Sequence, residues 1–425
     1  MKNIRVAVAG CGTVGAQFIR ILRQRRAALL QKTGLRFDLV AAADAAPEKK
    51  PLTGPPFFTD VHRMLRETEV DILVELIGGL QPAYSLVKTA LSQGKSVVTA
   101  NKALLSEHGE ELMNLAAEKR VYLGFEASVG GAIPIIKTVR ESFVGTSIKR
   151  MLAILNGTTN YILSRMSLEG MEFAHALEKA RKQGYAEANP ALDLCGVDTA
   201  HKLGILIRYL FHKIISWREI PVEGIEQLSQ LDIVYARELG YRVKLLALAD
   251  TRSGVLDARV HPALLPANHL LALVEDVYNA IYLEGDLIGR SLLFGEGAGG
   301  KAAASAVVAD VVEIGLKLRQ GGFASLRWPE NKVLSLMDSA DSLSRCYLRF
   351  TAVDRPGVLA SIAQILGQNN ISIASVIQKQ ENPRQAVPIV MLTHQASEKS
   401  FRQALKSIDA LKAIRQPTVR LRLVE

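Results

Sequence analysis

The chain has 425 residues and a formal net charge of +10, with 48% hydrophobic and 22% charged residues. This composition excludes a disordered chain and a disulfide-stapled miniprotein, and the length predicts two to four domains. No stretch approaches the ~18 uninterrupted apolar residues of a membrane span, and the first apolar run breaks at glycines before it forms a signal-peptide core. We therefore expect a soluble cytoplasmic protein with no membrane partner.

The positive charge is dispersed along the chain. Its densest cluster, residues 20–26, has the spacing of a solvated helix face, and no nucleic-acid reader motif accompanies it, so we expect no nucleic-acid partner. The three cysteines (Cys11, Cys195 and Cys346) lie far apart without metal-ligand spacing. Each is expected to be a small buried apolar residue.

Residues 1–130 alternate short apolar strands with helices. The predicted strands are 4–10, 37–43, 71–76 and 95–99, and the predicted helices are 14–30 and 83–92. This alternation predicts right-handed βαβ units and a Rossmann-like parallel sheet, so the fold class is α/β. We expect a helix near 300–320 to return to this domain and complete it.

Residues 131–330 predict an α+β domain with longer helices, at 198–211 and 302–319, and few strands, of which 148–155 is one. The last 80 residues show a βαββαβ order, which is that of a ferredoxin-like unit. Its predicted elements are strand 346–353, helix 356–369, strands 371–380 and 388–394, helix 399–411 and strand 418–424. This predicts a third domain over 345–425.

The sharpest motif is Gly10-x-Gly12-x-x-Gly15, between a predicted strand and a predicted helix. In dinucleotide-binding folds the first glycine permits a tight turn, the second lets the backbone approach a pyrophosphate, and the third allows close helix–strand packing. Asp44 ends the second strand, where an acid accepts the ribose hydroxyls and disfavours a 2′-phosphate. No Arg adjoins Asp44, but the nearby Lys49 and Lys50 could reach a 2′-phosphate. The sequence therefore favours NAD over NADP, and both stay open as the cofactor.

Lys102 follows a strand end, in the crevice where α/β folds bind ligands. Further along, Asp198 and Lys202 are four residues apart in a largely apolar helical stretch and share one helix face. Charged groups on a partly buried helix tend to mark sites. Glu187 and Asp193 add carboxylates shortly before this helix.

The loop 125–134 offers the Glu126 carboxylate and several backbone carbonyls. All-oxygen ligands of this kind suit a hard cation, although the same loop also fits an ordinary turn.

Four stretches together resemble the homoserine dehydrogenases over essentially the whole chain. They are GCGTVG at 10–15, VVTANKALL at 97–105, LNGTTNYIL at 155–163 and GYAEANPALDLCGVDTAHK at 184–202. The C-terminal unit resembles an ACT regulatory domain, with DRPGVL at 354–359 at its first strand–helix turn.

The resemblance implies NAD(P)-dependent interconversion of L-homoserine and L-aspartate 4-semialdehyde, a step of threonine and methionine biosynthesis. It implies that Lys202 is the general acid/base and Lys102 a second active-site lysine near substrate and nicotinamide. It also implies that Glu187 and Asp198 bind homoserine, with Asp193 assisting catalysis.

The resemblance further implies a cofactor site, a cation site and an effector. Besides the glycine turn, Asp44 and Lys102, the cofactor would be lined by Thr13, Val14, Gly184 and Gly300. A monovalent cation, Na⁺ or K⁺, would be held at Glu126, Val129, Gly131 and Ile133. Threonine is the implied effector of the ACT unit, and a homodimer or homotetramer the implied assembly, since the family's middle domain dimerises.

Two departures from the family pattern stand near these sites. Cys195 occupies a position where relatives often carry Asp, and Lys301-Ala302 replaces a smaller polar pair, which bears on the cofactor contacts of that loop. The alternatives are another Rossmann amino-acid semialdehyde oxidoreductase or a non-catalytic NAD(P)/amino-acid sensor. The pair Lys102 and Lys202 argues against a sensor, which has no need of acid/base lysines, and no cysteine has surroundings suited to acyl chemistry.

Overall fold

The computed structural model describes residues 3–51, 54–321, 334–379 and 386–424. The segments 322–333 and 380–385, which fall within the predicted second and third domains, lie outside the described residues, as does the last residue of the predicted strand 371–380. The chain forms two compact units. The first comprises 1–148, 201–219 and 279–333, and the second comprises 149–200, 220–278 and 334–425.

Strands and helices both occur throughout the described ranges. The strands are β1 (Asn3–Ala9), β2 (Arg36–Ala43), β3 (Phe57–Phe58), β4 (Ile72–Glu75), β5 (Ser96–Thr99), β6 (Leu123–Gly124), β7 (Ile148–Ile154), β8 (Tyr241–Asp250), β9 (Asp257–Pro266), β10 (Tyr278–Gly285), β11 (Gly289–Glu296), β12 (Leu343–Val353), β13 (Ile373–Ile377), β14 (Ala386–Thr393), β15 (Ala396–Ser397) and β16 (Ile414–Leu423). The helices are α1 (Thr13–Gln24), α2 (Arg26–Thr33), α3 (Val61–Glu67), α4 (Ala83–Ser92), α5 (Lys102–Glu118), α6 (Ile135–Lys137), α7 (Gly157–Glu169), α8 (Phe173–Lys182), α9 (Ala191–Leu194), α10 (Val197–Phe211), α11 (Gln230–Glu238), α12 (Gly300–Gln320), α13 (Val358–Gln368) and α14 (Glu398–Asp409). Short 3₁₀ turns lie at Pro47–Lys49, Glu126–Ser128, Trp217–Glu219 and Leu270–Leu273, and a π-helical turn at Thr138–Ser142.

A six-stranded parallel sheet organises the first unit. Its strand order is β3-β2-β1-β4-β5-β6, so the chain reverses direction of travel between β1 and β4. Helices cover both faces of the sheet, and the central strands are therefore buried on both sides, as parallel sheets require. The predicted Rossmann-like sheet is confirmed.

The helix α12 packs on one face of this sheet although it begins at Gly300, long after β6 ends at Gly124. Its apolar residues Val307, Val311 and Ile314 join the same core as Ile4 on β1 and Phe18 on α1. The carboxyl ends of β1, β4 and β5 lie side by side at the switch point of the sheet, which is where α/β folds bind ligands.

In the second unit the sheet strands follow the order β7-β8-β9-β16-β12-β14-β13, with β15 paired to β12. The predicted βαββαβ order is present as β12-α13-β13-β14-α14-β16, around its own apolar core that includes Phe350 and Phe401. This C-terminal βαββαβ segment is joined to the rest of the second unit by strand pairing. Its last strand, β16, pairs in parallel with β9, with Arg422 opposite Ala263, so one sheet runs through both parts.

One helix prediction was wrong, and several helices and strands were not predicted. The predicted helix 14–30 is two helices, α1 and α2, that meet at Arg25. The helix α5 was not predicted, nor were the four strands β8–β11. Strand β8 is buried along most of its length, and a continuous apolar run of this kind does not distinguish a buried strand from a buried helix.

None of the helices within 3–51, 54–321, 334–379 and 386–424 is both long enough and apolar enough to cross a membrane.

Candidate active site

The glycine turn after β1 has the geometry that the motif predicts. Gly10 has φ +97°, and a Cβ there would lie 2.4 Å from the backbone of Leu76. A Cβ on Gly15 would lie 2.0 Å from the Gly10 carbonyl oxygen, so helix and turn touch. Gly12 is different, because a Cβ there would meet nothing within 4 Å. The turn is therefore closed toward the protein and open at Gly12, where a pyrophosphate would approach the N-terminus of α1.

Thr13 and Gly300, two of the residues implied to line the cofactor, are brought together. A Cβ on Gly300 would lie 2.8 Å from Thr13 Cγ2, so the N-termini of α1 and α12 meet closely at the turn. Val14 lies beside them in the first turn of α1. Gly184, which has φ +75°, belongs to the second unit.

Asp44 is fixed at the end of β2 by the backbone. Its Oδ2 accepts a hydrogen bond from the Cys11 N–H at 2.8 Å, and its Oδ1 accepts one from Ala46 N–H at 3.0 Å. Lys49 Nζ lies 3.5 Å from Oδ1. Burial opposes the ionised form, but the two N–H donors and Lys49 outweigh it and lower the pKa of Asp44. A carboxylate thus stands where an adenosine ribose would bind.

A basic cleft of about 560 Å³ adjoins this position. Cys11, Lys49, Arg20 and Arg23 are among its lining residues, the two arginines from the exposed side of α1. Part of the cluster that the sequence indicated as a solvated helix face therefore borders the cofactor region.

The crevice beyond β4 and β5 is organised by a buried carboxyl group. Glu75 accepts hydrogen bonds from the Thr99 hydroxyl at 2.5 Å and from Ile77 N–H at 2.8 Å, while burial raises the pKa of Glu75. Asn101 caps α5 by accepting from Leu104 N–H. Lys102, half-buried, is the first residue of that helix, so the lysine is presented at the strand end as the sequence predicted.

Two of the predicted acidic residues are held by one amide. Asn156 is buried, and its Nδ2 donates to Asp193 Oδ1 at 2.8 Å and to Asp198 Oδ2 at 3.0 Å. The two carboxylate oxygens therefore lie within about 6 Å of each other. The Oδ1 of the same side chain accepts from Thr159 N–H at 2.9 Å and caps α7.

The exposed Glu187 follows a loop that α7 also holds. The Thr158 hydroxyl donates to the Tyr185 carbonyl at 2.6 Å, and the Tyr161 hydroxyl donates to Gln183 Oε1 at 2.6 Å. The rings of Tyr161 and Tyr185 pack with centroids 5.0 Å apart. Within the second unit, Glu187, Asp193 and Asp198 are all positioned from the start of one helix.

Helix α10 carries Asp198 in its first turn and Lys202 one turn later, as predicted. Asp198 is buried and Lys202 is half-buried. A buried aspartate and a half-buried lysine on one helix face differ from an exposed surface pair, which adds only a few tenths of a kcal/mol.

The Glu126 carboxylate is engaged by the main chain of its own loop. Both of its oxygens accept backbone hydrogen bonds, from Ile136 N–H and Lys137 N–H, each at 2.8 Å. Burial, together with the nearby Asp310 charge, raises the pKa of Glu126 to about 7. The carboxylate thus holds α6 in place, and its role as a cation ligand stays a prediction.

The other residues predicted for this cation site lie in the same loop. Val129 and Ile133 are buried, and a Cβ on Gly131 would lie 2.6 Å from the Gly297 backbone. The loop therefore presents closely packed main chain, and no cluster of three or more His, Cys, Asp or Glu side chains suited to a metal occurs in the described part of the chain.

Sequence reasoning missed Asn156 and Glu75. Asn156 stands in the stretch 155–163, where an Asn before Gly-Thr-Thr is itself a helix-capping signal, but its contacts with Asp193 and Asp198 span about 40 residues. Glu75 ends a strand of apolar residues, and a charged residue at that position of a buried strand was the available signal.

Family models match three parts of the chain. They describe a homoserine dehydrogenase NAD-binding domain at residues 10–126, homoserine dehydrogenase at 134–312 and an ACT domain at 347–413.

Individual relatives agree over the full length. The chain is 38% identical to a homoserine dehydrogenase of Pseudomonas aeruginosa and 37% identical to one of Neisseria gonorrhoeae, in each case over 100% of this chain and 99% of the relative. A crystal structure of a homoserine dehydrogenase from Thiobacillus denitrificans superposes with a TM-score of 0.93 at 39% identity, covering 100% of this chain and 99% of that one. A hyperthermophilic archaeal homoserine dehydrogenase in complex with NADPH gives a TM-score of 0.64 at 27% identity over 76% of this chain and 100% of that one.

Proposed function

The chain belongs to the homoserine dehydrogenase family, and from that premise we propose how its own residues carry out the reaction. The enzyme interconverts L-homoserine and L-aspartate 4-semialdehyde with NAD(P). The main support for the residue roles proposed below is that the Asn156 amide donates hydrogen bonds to both Asp193 and Asp198. A pair of carboxylates held this close favours a cation near them, such as the ammonium group of an amino acid.

NAD(P), when held by the glycine turn at Gly10, Gly12 and Gly15, would supply the hydride chemistry at the carbinol carbon of homoserine. Lys202 takes the hydroxyl proton in the oxidation and donates it to the forming alkoxide in the reduction. Its half-buried position on α10, one turn after the buried Asp198, supports this assignment. Lys102, the first residue of α5 after the end of β5, supplies a second positive charge.

Glu187 and Asp198 bind the substrate ammonium, and Asp193 assists. The support for this set is its common anchorage to α7, through Asn156 for the two aspartates and through Thr158 for the loop before Glu187. Carboxylates that the protein holds in place before the substrate arrives lose little conformational freedom on binding, and their interaction with the substrate ammonium is therefore stronger.

The cofactor is bound by the glycine turn, with Gly10, Gly12, Thr13, Val14, Gly15, Gly184 and Gly300 as the predicted lining. The open side of Gly12 fits the approach of a pyrophosphate. We further propose that the enzyme accepts NADP. Lys49 offsets the Asp44 charge, and Arg20 and Arg23 line the adjoining cleft, so a 2′-phosphate would meet three cationic side chains.

A monovalent cation, Na⁺ or K⁺, is proposed at the Glu126 loop. Because the Glu126 carboxylate is engaged by two backbone N–H groups, the proposed ligands are main-chain carbonyls of Glu126, Val129, Gly131 and Ile133. Neutral carbonyl oxygens suit a cation of low charge.

Threonine is the proposed effector, and a homodimer or homotetramer the proposed assembly. The presence of an ACT domain supports a small-molecule effector. Strand β13 lies at the end of the sheet and exposes Val376, which supports edge-to-edge pairing with a second copy.

The assay follows the absorbance of reduced nicotinamide with homoserine and either NAD or NADP. It is run in Na⁺, K⁺ and a bulky organic cation, each with and without threonine. We expect turnover with both cofactors, faster with an alkali cation, and inhibition by threonine. Absence of threonine inhibition would overturn the effector proposal alone, and equal rates in the organic cation would overturn the cation proposal alone.

A further inference from the structure

A small cavity lies where β9 meets the C-terminal βαββαβ unit. Its volume is about 40 Å³, and its walls come from β9, residues 337–342, α14 and β16. No residue assigned above to cofactor, substrate or cation lines it. We propose that this cavity, called the Arg259 cavity below, binds a small planar oxyanion that also carries a hydrogen-bond donor. The class includes hydrogencarbonate and the head group of an α-amino acid.

Arg259 provides unused donors in this cavity. Its Nη2 pairs with Asp257 Oδ2 at 2.9 Å. Its Nε and Nη1 are buried and have no acceptor among the residues that the structure describes. A buried guanidinium with two unmet N–H groups is unfavourable, and the oxygens of an oxyanion are the acceptors that satisfy it best.

His261 provides an unused acceptor. It is 2% exposed, and its Nδ1 lies 3.0 Å from the Pro262 carbonyl oxygen. Because that oxygen can only accept, Nδ1 carries the hydrogen. Burial and the nearby Arg422 and Arg259 charges hold the pKa of His261 well below its usual range, so the ring is neutral. Its Nε2 is therefore a bare lone pair, and no donor within the described ranges reaches it.

The other charged groups near the cavity pair with one another. Arg422 binds Glu398 at 2.7 Å and Glu223 at 2.7 Å, and Arg420 binds Glu398 at 2.9 Å. The cavity wall carries three guanidinium groups, from Arg259, Arg402 and Arg422, and three carboxylates, from Glu223, Asp257 and Glu398. The groups left for a ligand to satisfy are therefore the unused donors of Arg259 and the unused acceptor of His261.

Size and polarity together define the ligand class. The volume has room for roughly three water-sized groups, which matches the three oxygens of a planar oxyanion. Two donors from Arg259 and one acceptor from His261 require a ligand that accepts on one side and donates on the other. Hydrogencarbonate does both within four heavy atoms, whereas formate has the same planar carboxylate without the donor.

The test is isothermal titration of the full chain at about pH 8 and constant ionic strength, without homoserine or NAD(P). The probes are sodium hydrogencarbonate, sodium formate and glycine. We expect saturable binding of hydrogencarbonate or glycine, the tighter of which identifies the source of the oxyanion. Formate should bind at least about tenfold more weakly than the tighter ligand, because it leaves His261 unsatisfied.

The double variant Asp257→Asn/Arg259→Gln removes the site without leaving a lone buried charge, and we expect affinity to fall at least about tenfold. Its matched control is Arg63→Gln/Glu67→Gln, an exposed Arg–Glu ion pair on α3 that does not line the cavity, which should keep the wild-type Kd within about twofold.

A second variant keeps the test decisive if the double variant does not fold. His261→Leu removes the acceptor at similar volume, so it should abolish the preference over formate while formate binding itself persists. Absence of saturable binding to wild type, or binding unchanged in these variants, would show that the cavity holds water only and would overturn the proposal. The titration does not depend on catalysis, so its outcome is separate from that of the homoserine assay.

Discussion

Replacement of Asn156 should separate two tasks that this one side chain performs. Its amide nitrogen holds Asp193 at 2.8 Å and Asp198 at 3.0 Å, while its amide oxygen caps α7 through Thr159 N–H at 2.9 Å. Asn156→Ala removes both tasks. Asn156→Ser removes the amide donors but keeps an oxygen that caps a helix almost as well as asparagine does.

The expected magnitudes follow from these contacts. Loss of the cap costs about 0.5–2 kcal/mol of folding free energy, so Asn156→Ala should be less stable than Asn156→Ser by that amount. Hydrogen bonds to charged groups contribute about 1.5–3 kcal/mol each. Both variants lose the hydrogen bonds that position the two aspartates. If the free energy of one such bond is lost from the transition state, kcat/KM for homoserine should fall roughly 10- to 150-fold in both variants. The KM for NAD(P) should change little, because the cofactor is bound elsewhere.

Urea unfolding gives the difference in stability, and initial rates at saturating NAD(P) give kcat/KM for homoserine. The two measurements distinguish positioning from mere folding. If activity follows stability, so that Asn156→Ser recovers most of the rate lost in Asn156→Ala, the hold on the aspartates is not what matters and the reasoning is refuted.

Other predictions test single features. Lys202→Ala should lower turnover about 10²- to 10⁴-fold with little loss of cofactor affinity measured by fluorescence titration, and near-normal turnover would remove Lys202 from its role. Lys49→Ala should raise KM for NADP more than KM for NAD in steady-state kinetics, because only NADP carries the 2′-phosphate; equal effects would contradict the proposed contact. Burial opposes ionisation of Glu313, but Lys317, Arg140 and Lys137 outweigh it and lower the pKa of this carboxyl to about 2. The stabilisation by the ionised form is therefore present above pH ~4.5 and lost as pH falls through ~2, so Glu313→Gln should unfold at a lower temperature at pH 7, which corresponds to a loss of roughly 1–3 kcal/mol of folding free energy, with a gap that closes in acid. Burial raises the pKa of Cys11 and of Cys346 to about 11, so a thiol reagent at about pH 8 should label only the half-buried Cys195 until the protein is denatured, and rapid labelling of two thiols in the native state would disprove this.

Much of the molecule follows from local patterns in the sequence. The spacing of the glycines at 10, 12 and 15 predicted the turn, and one of its close approaches is local, because a Cβ on Gly15 would lie 2.0 Å from the Gly10 carbonyl oxygen. The approach of Gly10 to Leu76 depends on the folded sheet, and Gly12 is open. The βαββαβ order at the C-terminus was predicted because apolar periodicity reports strands and helices one at a time. Asp198 and Lys202 share a helix face for the same local reason, since 3.6 residues make a turn.

Only the tertiary structure decided which of these parts meet. The contacts of Asn156 with Asp193 and Asp198, and of Glu126 with Ile136 and Lys137, join side chains to groups that no local period connects. The same holds for the parallel pairing of β16 with β9, which makes the C-terminal unit part of one sheet and creates the Arg259 cavity. Pattern reasoning works over a few residues because backbone geometry repeats at that range. Register between distant strands is set by the packing of the whole core, and so the positions of buried charges emerge only once the chain is folded.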